Sequence, residues 1–322
     1  MRVISAVEVR RLLTPDRALT LMEGVLQDLS AGRAQAPLRS ACLVGPEARR
    51  MGVMPGGLGE AGFGVKVLSL FPGNSRRGLS SHLGLVALFD ADDGRPLAVL
   101  EASSLTAVRT AAVSALATRL LARPSACDLA LLGSGEQAAS HLEAIARVRP
   151  LRRVRVWSRR TANAEAFAAR HDGVEAVASV AEAVADADII CTLTGARTPI
   201  LKGDWVSAGA HINAVGACTP DAAEVDETLV RRARYVVDLR LSAEAEAGEY
   251  LAARASGAIG AGHILGEIGE VAAGRTAPRR NPSDITLFKS LGNAAEDLAA
   301  ARFVFDRAVE SGAGVEVDLA GS

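Results

Sequence analysis

The stretch DLALLGSGEQA, residues 128–138, decides the fold of this chain. Its apolar run enters a Gly-Ser-Gly turn, a helix-like segment follows at about 136–148, and a second apolar run spans 153–157. This order is a βαβ unit that binds a dinucleotide, because the first glycine permits the tight turn and the second leaves room for the pyrophosphate at the helix N-terminus. A βα turn without a ligand is the alternative. The predicted contacts are Gly133, Ser134, Gly135, Glu136, Gln137 and Ala138.

The end of the second strand indicates which dinucleotide binds. An acidic residue there would accept hydrogen bonds from the adenosine ribose and repel a 2′-phosphate. This chain has Ser158-Arg159-Arg160-Thr161 instead, and guanidinium groups suit a phosphate. The pattern favours NADP(H), with NAD as a second possibility and a merely solvated loop as the alternative. We also assign Thr192, Val215 and Gly216, at the ends of later strand signals, to the cofactor-binding set.

Composition bounds the class of protein. The 322 residues are 49% hydrophobic and 23% charged, which fits a soluble globular protein with one large or two ordinary domains. A net charge of −1 and 3% aromatic residues give no basis for binding nucleic acid or an anionic membrane. The N-terminus lacks a signal-peptide layout and no apolar run reaches membrane-spanning length, so we expect a cytoplasmic protein.

Metal and disulfide chemistry have no support in the pattern. The four cysteines are widely separated, without CxxC or a histidine at ligand spacing, so we predict no metal site. GxSxG, SxxK and HExxH arrangements are also missing, which argues against nucleophilic and zinc hydrolases.

The chain on either side of the glycine turn has two different patterns. Before it, short strand signals broken by glycine and proline predict an α+β domain, introduced by one helix over 6–32. After it, helices and strands alternate in doubly wound fashion. The predicted strands of the first part are 39–44, 64–71, 83–89 and 96–100.

Two further helices connect these parts. One spans about 105–121, opens with a Ser-Ser-Leu-Thr cap region and joins the domains. The other spans about 293–309, with no strand after it, and returns to the first domain. We therefore predict an α/β protein with a Rossmann domain over 114–290, and an α+β domain formed by 1–113 and 291–322.

Lys66 is out of place in the apolar run GVKVLSLF, because lysine is rarely buried without a partner. It shares one strand face with Leu68 and Leu70, and Val65 and Val67 make the other face apolar too. The ammonium is therefore expected in a polar cavity, where it binds a ligand. A structural ion pair and a lysine that extends to solvent from an edge strand are the alternatives.

Three other residues are candidates of different strength. Arg109 lies on the apolar stripe of the long helix, which suits binding of a carboxylate or pyrophosphate, with a buried salt bridge as the alternative. Arg39 by itself is as compatible with the surface as with a site, and Glu101 is a possible partner for these cations. His82 is a possible proton donor, although a lone histidine beside a strand is more often structural. Cations beside a dinucleotide domain imply a small anionic substrate, such as a carboxylate.

Over nearly its full length the chain resembles the ornithine cyclodeaminase/mu-crystallin family. Many ordered segments carry this resemblance, so it is specific for the family but not for the reaction. The segments lie at 64–74 (GVKVLSLFPGN), 88–118, 131–138 (LLGSGEQA), 211–226 (HINAVGACTPDAAEVD), 266–275 (GEIGEVAAGR) and 288–301 (FKSLGNAAEDLAAA).

The resemblance implies a substrate-binding and dimerisation domain, completed by the C-terminal helix, beside a Rossmann domain. It implies that Arg39 and Lys66 bind the substrate carboxylate and that Arg109 also lies at the site. His82 stays a substrate-binding candidate, and Arg109 also counts as a cofactor-binding candidate. A homodimer follows only from the resemblance.

One departure from the family pattern bears on the reaction. Cyclodeaminases carry an aspartate shortly after the INAVG segment, whereas here Cys218 stands at that position and Asp221 follows three residues later. A thiol cannot replace a carboxylate that must accept a proton and pair with an ammonium group. The segment GACTPD is more similar to the reductase and mu-crystallin-like branches.

Three functions follow as hypotheses. The first is an NADP-dependent reductase of an α-imino acid, such as the cyclic ketimine Δ1-pyrroline-2-carboxylate, or the reverse dehydrogenation of an amino acid. Lys66, or a water that it positions, would protonate the imine. The second is an ornithine cyclodeaminase-type lyase with bound NAD, and the third is a crystallin-like protein that binds NADPH and a ligand without turnover.

Overall fold

The computed structural model describes residues 1–45 and 49–319, apart from the side chains of residues 75 and 76. The chain divides into two compact units, one formed by Met1–Arg109 with the chain from Gly292 onward, the other by Thr110–Leu291. In chain order the elements are β1 Arg2–Ile4, α1 Ala6–Leu12, α2 Pro15–Ser30, β2 Ser40–Leu43, β3 Arg50–Gly57, β4 Phe63–Leu70, β5 His82–Phe89, β6 Pro96–Glu101, α3 Ala102–Leu121, β7 Asp128–Leu132, α4 Glu136–Ala146, β8 Arg153–Trp157, α5 Thr161–Ala168, β9 Val174–Ala176, α6 Val180–Val184, β10 Ile189–Thr192, β11 His211–Ala214, α7 Glu227–Arg232, β12 Arg234–Val237, α8 Arg240–Glu246, α9 Gly248–Ala255, β13 Ile264–Glu267, α10 Ile268–Ala272, β14 Thr286–Lys289, α11 Ala294–Ser311 and β15 Val315–Glu316.

The first unit contains a seven-stranded sheet in the order β15-β1-β6-β5-β4-β3-β2. Its strands pair antiparallel except for β1 with β6. Helix α11 packs on this sheet at two glycines, because a Cβ on Gly56 would lie 2.8 Å from Ala294 Cβ, and one on Gly64 would lie 2.7 Å from Leu298 Cδ2. The glycines therefore permit the close approach that brings α11 against β3 and β4.

The single helix predicted over 6–32 is wrong, because the chain forms α1 and α2 with a break at Leu13 and Thr14. Pro15 occupies the first position of α2, where its missing N–H costs no hydrogen bond. Inside a continuous helix its ring would clash with the preceding turn. Ser5 begins α1 through a capping box with Glu8.

Two strand predictions also need correction. A strand does follow the last helix, since β15 pairs antiparallel with β1 through Val315 and Val3. Two residues are too short to give a periodic signal. The bounds of strand β3 do not follow from the sequence, because its second half, Met54-Pro55-Gly56-Gly57, resembles a turn, yet it pairs along its full length with β4.

The long helix α3 begins at Ala102, three residues before the predicted start. The predicted Ser-Ser-Leu-Thr cap is wrong, because the carboxylate of Glu101 accepts hydrogen bonds from the Ser103 and Ser104 N–H groups at 2.6 and 2.9 Å. A carboxylate stabilises the positive end of a helix. Glu101 thereby serves the helix start rather than Lys66 or Arg109, contrary to our expectation.

The second unit contains an eight-stranded parallel sheet in the order β13-β12-β14-β11-β10-β7-β8-β9. Successive residues of the central strands belong to two hydrophobic clusters, one with Ala130 and Ile190 and the other with Leu131 and Ile189. Both faces of these strands are therefore buried, which is why the strands are continuous apolar runs. Strand β7 pairs with β8 on one side and with β10 on the other. The chain therefore adds β8 and β9 on one side of β7 and then continues the sheet on the opposite side with β10. Ligands bind beyond the carboxyl ends of the strands at such a switch point. The structure confirms the predicted α/β fold.

Candidate functional site

Lys66 lies at the centre of a buried charged cluster in the first unit. It projects from β4 with 1% of its surface exposed, whereas Val65 and Val67 on the opposite face are only half-buried. Its Nζ donates a hydrogen bond to Asp297 Oδ1 of α11 at 2.9 Å. The ammonium therefore lies inside the protein, paired with a carboxylate that stands 231 positions later in the chain.

Arg109 is bound by two carboxylates of α11. Its Nε donates to Asp297 Oδ1 at 2.8 Å and its NH1 donates to Glu296 Oε2 at 2.7 Å. A Cβ on Gly292, which has φ of +72°, would lie 2.6 Å from Arg109 NH1, so the turn before α11 needs glycine to accommodate the guanidinium. Arg39 joins the same turn, since its NH2 donates to the Gly292 carbonyl oxygen at 2.8 Å.

Glu296 and Asp297 are functional candidates that sequence reasoning missed. Both are fully buried in the first turn of α11, where Asn293 caps the helix. Two adjacent acids among small apolar residues, in the segment NAAEDLAAA, were the signal that could have identified them. Their positions near a helix N-terminus favour the charged forms as well.

The cluster brings several cations together. Lys66 and Arg109 pair with the carboxylates of α11, and Arg39 is bound to the Gly292 turn beside them, so this part of the first unit is suited to an anionic ligand. Burial lowers the pKa of Lys66 to about 8, although Asp297 opposes that shift. Burial disfavours the charge of Asp297 as well, but Arg109 and Lys66 outweigh it and hold the pKa of this carboxyl below its usual value.

His82, the first residue of β5, is the least constrained of the predicted site residues in this unit. Its side chain is exposed, and its Nδ1 lies 2.9 Å from Ser81 Oγ. Surrounding protein atoms exclude part of the solvent from the ring, and the charge of Lys66 adds to this, so the pKa of His82 is lowered. Both effects favour the neutral imidazole.

The glycine turn of the second unit has the geometry that the sequence predicts. Gly133 has φ of +129°, and a Cβ there would lie 2.6 Å from the Leu193 carbonyl oxygen. Gly135 is the N-cap of α4, and a Cβ on it would meet nothing within 4 Å. The backbone amides at the start of α4 thus adjoin open space, as a bound phosphate requires.

A cavity of about 480 Å³ adjoins this turn. Five of the predicted cofactor-binding residues line it, namely Gly133, Ser134, Gly135, Ser158 and Arg159. Asn163 and Arg170 also line it and were not predicted. The remaining lining residues, which sequence analysis also did not identify, are Trp157, Ala166, Leu193, Thr194, Gly195, Ala196 and Ile200.

The other predicted cofactor-binding residues lie outside this lining. Ala138, Thr192 and Val215 are buried, and Gln137 uses its carbonyl oxygen to bind His141 Nδ1 at 2.7 Å. Gly216 packs against the backbone of Thr194. Glu136 and Arg160 are exposed, and Arg160 is the N-cap residue of α5.

The segment after β11 bears on the choice between reductase and lyase. Cys218 is partly buried and directs its Sγ to the Val215 carbonyl oxygen at 3.4 Å. Asp221 is exposed, forms an ion pair with Arg197 and accepts a hydrogen bond from Thr219 Oγ1 at 2.7 Å. Asp221, the carboxylate considered as a replacement for the aspartate missing at Cys218, is therefore engaged at the surface.

One cluster of potential metal ligands occurs among the described residues, at Cys127, Asp128 and Asp188. Its carboxylates already have partners, since Asp128 pairs with Arg152 at 2.7 Å, and Asp188 pairs with Arg123. Asp188 also accepts the N–H groups of Cys127 and Asp128. We interpret this cluster as structural.

Among the described residues, every helix is too short or too polar to cross a bilayer.

Comparison with known proteins places these observations in a family. A family model described as the ornithine cyclodeaminase/mu-crystallin family matches residues 1–312. The ketimine reductase mu-crystallin of Mus musculus is 41% identical over 309 residues, covering 94% of this chain and 96% of the relative. A Delta(1)-pyrroline-2-carboxylate reductase of Bacillus cereus is 35% identical over 326 aligned positions, covering 99% of this chain and 100% of the relative.

A solved structure gives the same result. The Delta(1)-pyrroline-2-carboxylate reductase of Thermococcus litoralis, in complex with NADH and L-proline, superposes with a TM-score of 0.95 at 35% sequence identity. The match covers 98% of this chain and 100% of that chain.

Proposed function

The chain belongs to the ornithine cyclodeaminase/mu-crystallin family, and we propose that it is an NADP-dependent reductase of an α-imino acid. A cyclic ketimine such as Δ1-pyrroline-2-carboxylate is the proposed substrate, and the reverse reaction is dehydrogenation of the amino acid. The observation that carries the proposal is a buried lysine, Lys66, with a pKa of about 8 beside two arginines. The similarity to named reductases supports the same reaction.

In this proposal Arg39 and Lys66 bind the substrate carboxylate, and Arg109 adds a third positive charge to the site. The carboxylate is attracted by these cations, and charge-assisted hydrogen bonds in a buried site fix its orientation. Asp297 holds Lys66 and Arg109 in place through one oxygen atom, Oδ1. Asp297 is thus a positioning residue, because its side chain contacts the two cations.

Lys66 is also the proposed proton donor. Protonation of the imine nitrogen makes the C=N carbon a better hydride acceptor, and an acid with a pKa near the working pH is suited to this transfer. A lysine with a pKa of about 8 is mostly protonated at neutral pH and releases its proton more readily than an exposed lysine does. His82 remains a substrate-binding candidate at the edge of β5.

The glycine turn fits a nicotinamide dinucleotide. The open space at Gly135 and the amides of α4 suit the pyrophosphate, and Ser134, Ser158 and Arg159 line the same cavity. When bound in its reduced form, the dinucleotide supplies the hydride that, with the proton from Lys66, converts C=N into CH–NH. The chain's own residues contribute binding, orientation and the proton.

Selectivity for NADP over NAD is assigned to the end of β8. Arg159 lines the cavity, and no acidic residue stands among Ser158-Arg159-Arg160 to repel a 2′-phosphate. Arg170 lines the same cavity and adds a second guanidinium. NADH in the solved relative keeps NAD as the alternative cofactor.

A homodimer is part of the proposal. One face of the sheet of the first unit exposes apolar side chains, Met51 on β3 and Leu83 and Leu85 on β5, with Ser69 of β4 between Met51 and Leu83. Exposed apolar side chains on one face are typical of a surface that another protein covers. Light scattering on the purified protein should give twice the chain mass of 33.3 kDa.

The lyase and the non-catalytic binder are less well supported. A lyase needs a carboxylate where Cys218 stands, and Asp221 is paired with Arg197. A binder without turnover needs no buried lysine with a lowered pKa. These observations favour the reductase over both alternatives.

The test is a titration of NADPH oxidation with Δ1-pyrroline-2-carboxylate and its six-membered homologue, with NADH in parallel. Rapid loss of nicotinamide absorbance with NADPH is the expected result. Release of ammonia from ornithine with NAD, without reduction of either imine, would instead establish the lyase. Binding of NADPH with no turnover of either substrate would favour the binder.

A further inference from the structure

Glu224 is a buried carboxylate in the second unit to which no role has yet been assigned. It lies between β11 and α7, with 1% of its surface exposed. Its Oε1 accepts hydrogen bonds from the Thr194 N–H at 2.7 Å and from Thr194 Oγ1 at 2.6 Å. Its Oε2 accepts from Thr192 Oγ1 at 2.8 Å and from the Gly216 N–H at 2.6 Å.

The backbone of Glu224 makes a further connection. Its carbonyl oxygen accepts hydrogen bonds from the N–H groups of Ile200 and Leu201, both at 2.9 Å. One residue therefore holds three segments: the end of β10 with Thr194, the turn at Gly216, and the chain at Ile200.

Two of these segments form a wall of the cavity beside the glycine turn. Residues 193–196 and Ile200 line that cavity, whereas Glu224 itself does not. The Leu193 N–H still donates to the Leu132 carbonyl oxygen of β7 at 2.8 Å, but the amides beyond it need partners other than a neighbouring strand. Gly216 packs closely, because a Cβ there would lie 2.1 Å from the Thr194 carbonyl oxygen and 2.7 Å from Glu224 Oε1.

The four hydrogen-bond donors around Glu224 suit an ionised carboxylate better than an amide or a protonated carboxyl group. Two backbone N–H groups and two hydroxyls point at the two oxygens, which provide about four acceptor positions when ionised. Burial raises the pKa of Glu224, while the bonds from Thr194 and the charge of Lys289 oppose this shift. Replacing one oxygen by NH₂ would place a donor against the Thr194 N–H or against the Gly216 N–H, of which the second also donates to the Thr192 carbonyl oxygen at 3.1 Å.

We infer that Glu224 is a positioning residue for dinucleotide binding, which joins the 193–196 wall of the cavity to the Gly216 turn and keeps both in one arrangement. The inference rests on the proposed function, because it assumes that the dinucleotide occupies this cavity. Glu224 acts through Thr194 and Gly216 rather than through contact with the ligand.

The experiment compares Glu224→Gln with Asp226→Asn. Asp226 is a matched control, since its carboxylate also accepts two backbone N–H groups, those of Gly203 at 2.9 Å and Leu229 at 2.8 Å, but serves the start of α7. Calorimetric titration would measure the Kd of NADPH and of 2′,5′-ADP, and melting would measure the stability of each ligand-free variant. We expect Glu224→Gln to weaken NADPH binding about tenfold to hundredfold and Asp226→Asn to change it less than twofold.

A second variant keeps the inference testable if Glu224→Gln does not fold. Thr192→Val removes the hydroxyl that binds Glu224 Oε2, from a buried position outside the cavity lining. We expect a rise of about threefold to tenfold in the KM for NADPH, with kcat at saturating cofactor within about twofold of wild type. A purely structural role would lower the melting temperature without this change in KM.

The outcomes separate the inference from the function on which it rests. If the wild-type chain binds neither NADPH nor NADH, the proposed function fails and the inference fails with it. If the wild type binds NADPH and the folded Glu224→Gln or Thr192→Val variant binds it equally well, only the inference is overturned. Equal weakening by Asp226→Asn would also overturn it, because the effect would then follow the loss of any carboxylate that accepts backbone N–H groups.

Discussion

The charged cluster of the first unit and the glycine turn of the second bind anions in different ways. The cluster relies on whole charges, Lys66 and Arg109, which are buried and held by Glu296 and Asp297. The turn relies on backbone amides and a helix N-terminus, with Arg159 exposed beside it. Buried charges need partners of opposite sign, whereas backbone dipoles need only the correct local conformation.

This difference determines how each region tolerates change. Removal of one charge from the cluster leaves another buried charge without a partner, so catalysis and stability should both be affected. Removal of an exposed arginine beside the turn should change ligand selectivity and leave the fold intact. The following variants test that contrast.

The largest effect is expected for Lys66→Met, which removes the proposed proton donor and one of the carboxylate-binding cations. We expect kcat/KM for imine reduction to fall by about 10²–10⁴, the range for loss of a general acid. NADPH affinity in calorimetric titration should stay near the wild-type value. Lys202→Met is the control, because Lys202 is an exposed lysine that lies over the Trp205 ring. Retention of full activity in Lys66→Met would refute the role of this lysine.

Asp297→Asn should mainly affect stability. It removes the negative charge that Lys66 and Arg109 share, and breaking a buried ion pair costs about 3–5 kcal/mol. Urea unfolding would measure this loss. Asp306→Asn, on the same helix α11, is the control, since its surface pair with Arg302 is worth about 0–1 kcal/mol. Similar losses in the two variants would contradict the description of Asp297 as the buried partner of two cations.

The pH dependence of imine reduction should report Lys66. A pKa of about 8 means that the proton donor is charged below that value and is lost above it. We therefore expect kcat/KM to fall about tenfold per pH unit above roughly pH 8. The alkaline limb should move to lower pH in Asp297→Asn, because Asp297 raises the pKa of Lys66. An alkaline limb that stays in place in a folded Asp297→Asn variant would exclude Lys66 as the titrating group.

The smallest effect is expected beside the glycine turn. Arg159→Ala should raise the KM for NADPH about tenfold, consistent with loss of one charge-assisted hydrogen bond, and leave the KM for NADH and the melting temperature near wild type. Arg160→Ala is the matched control, because Arg160 is exposed and lies outside the cavity lining. Equal effects on both cofactors would mean that Arg159 does not distinguish a 2′-phosphate.

Much of the second unit could be predicted from sequence because its signals are local. Strand β8 spans Arg153–Trp157 as predicted, and Gly133 adopts the positive φ that the motif requires. The cavity wall at 193–196 and the support from Glu224 were missed. They depend on which strands become neighbours, and β10 follows β7 in the sheet but not in the chain.

The first unit was harder to predict for the same reason. Lys66 and Arg109 were conspicuous as charges in apolar runs, so the sequence by itself identified them as buried and in need of a partner. It could not identify that partner, because Glu101 is much nearer in sequence to both cations than Asp297, with which they pair. Only the packing of α11 on β4, which Gly64 permits, brings the two charges together. Ionisable residue types can be recognised locally, whereas an ion pair forms only when the folded backbone places its two members within a few ångströms.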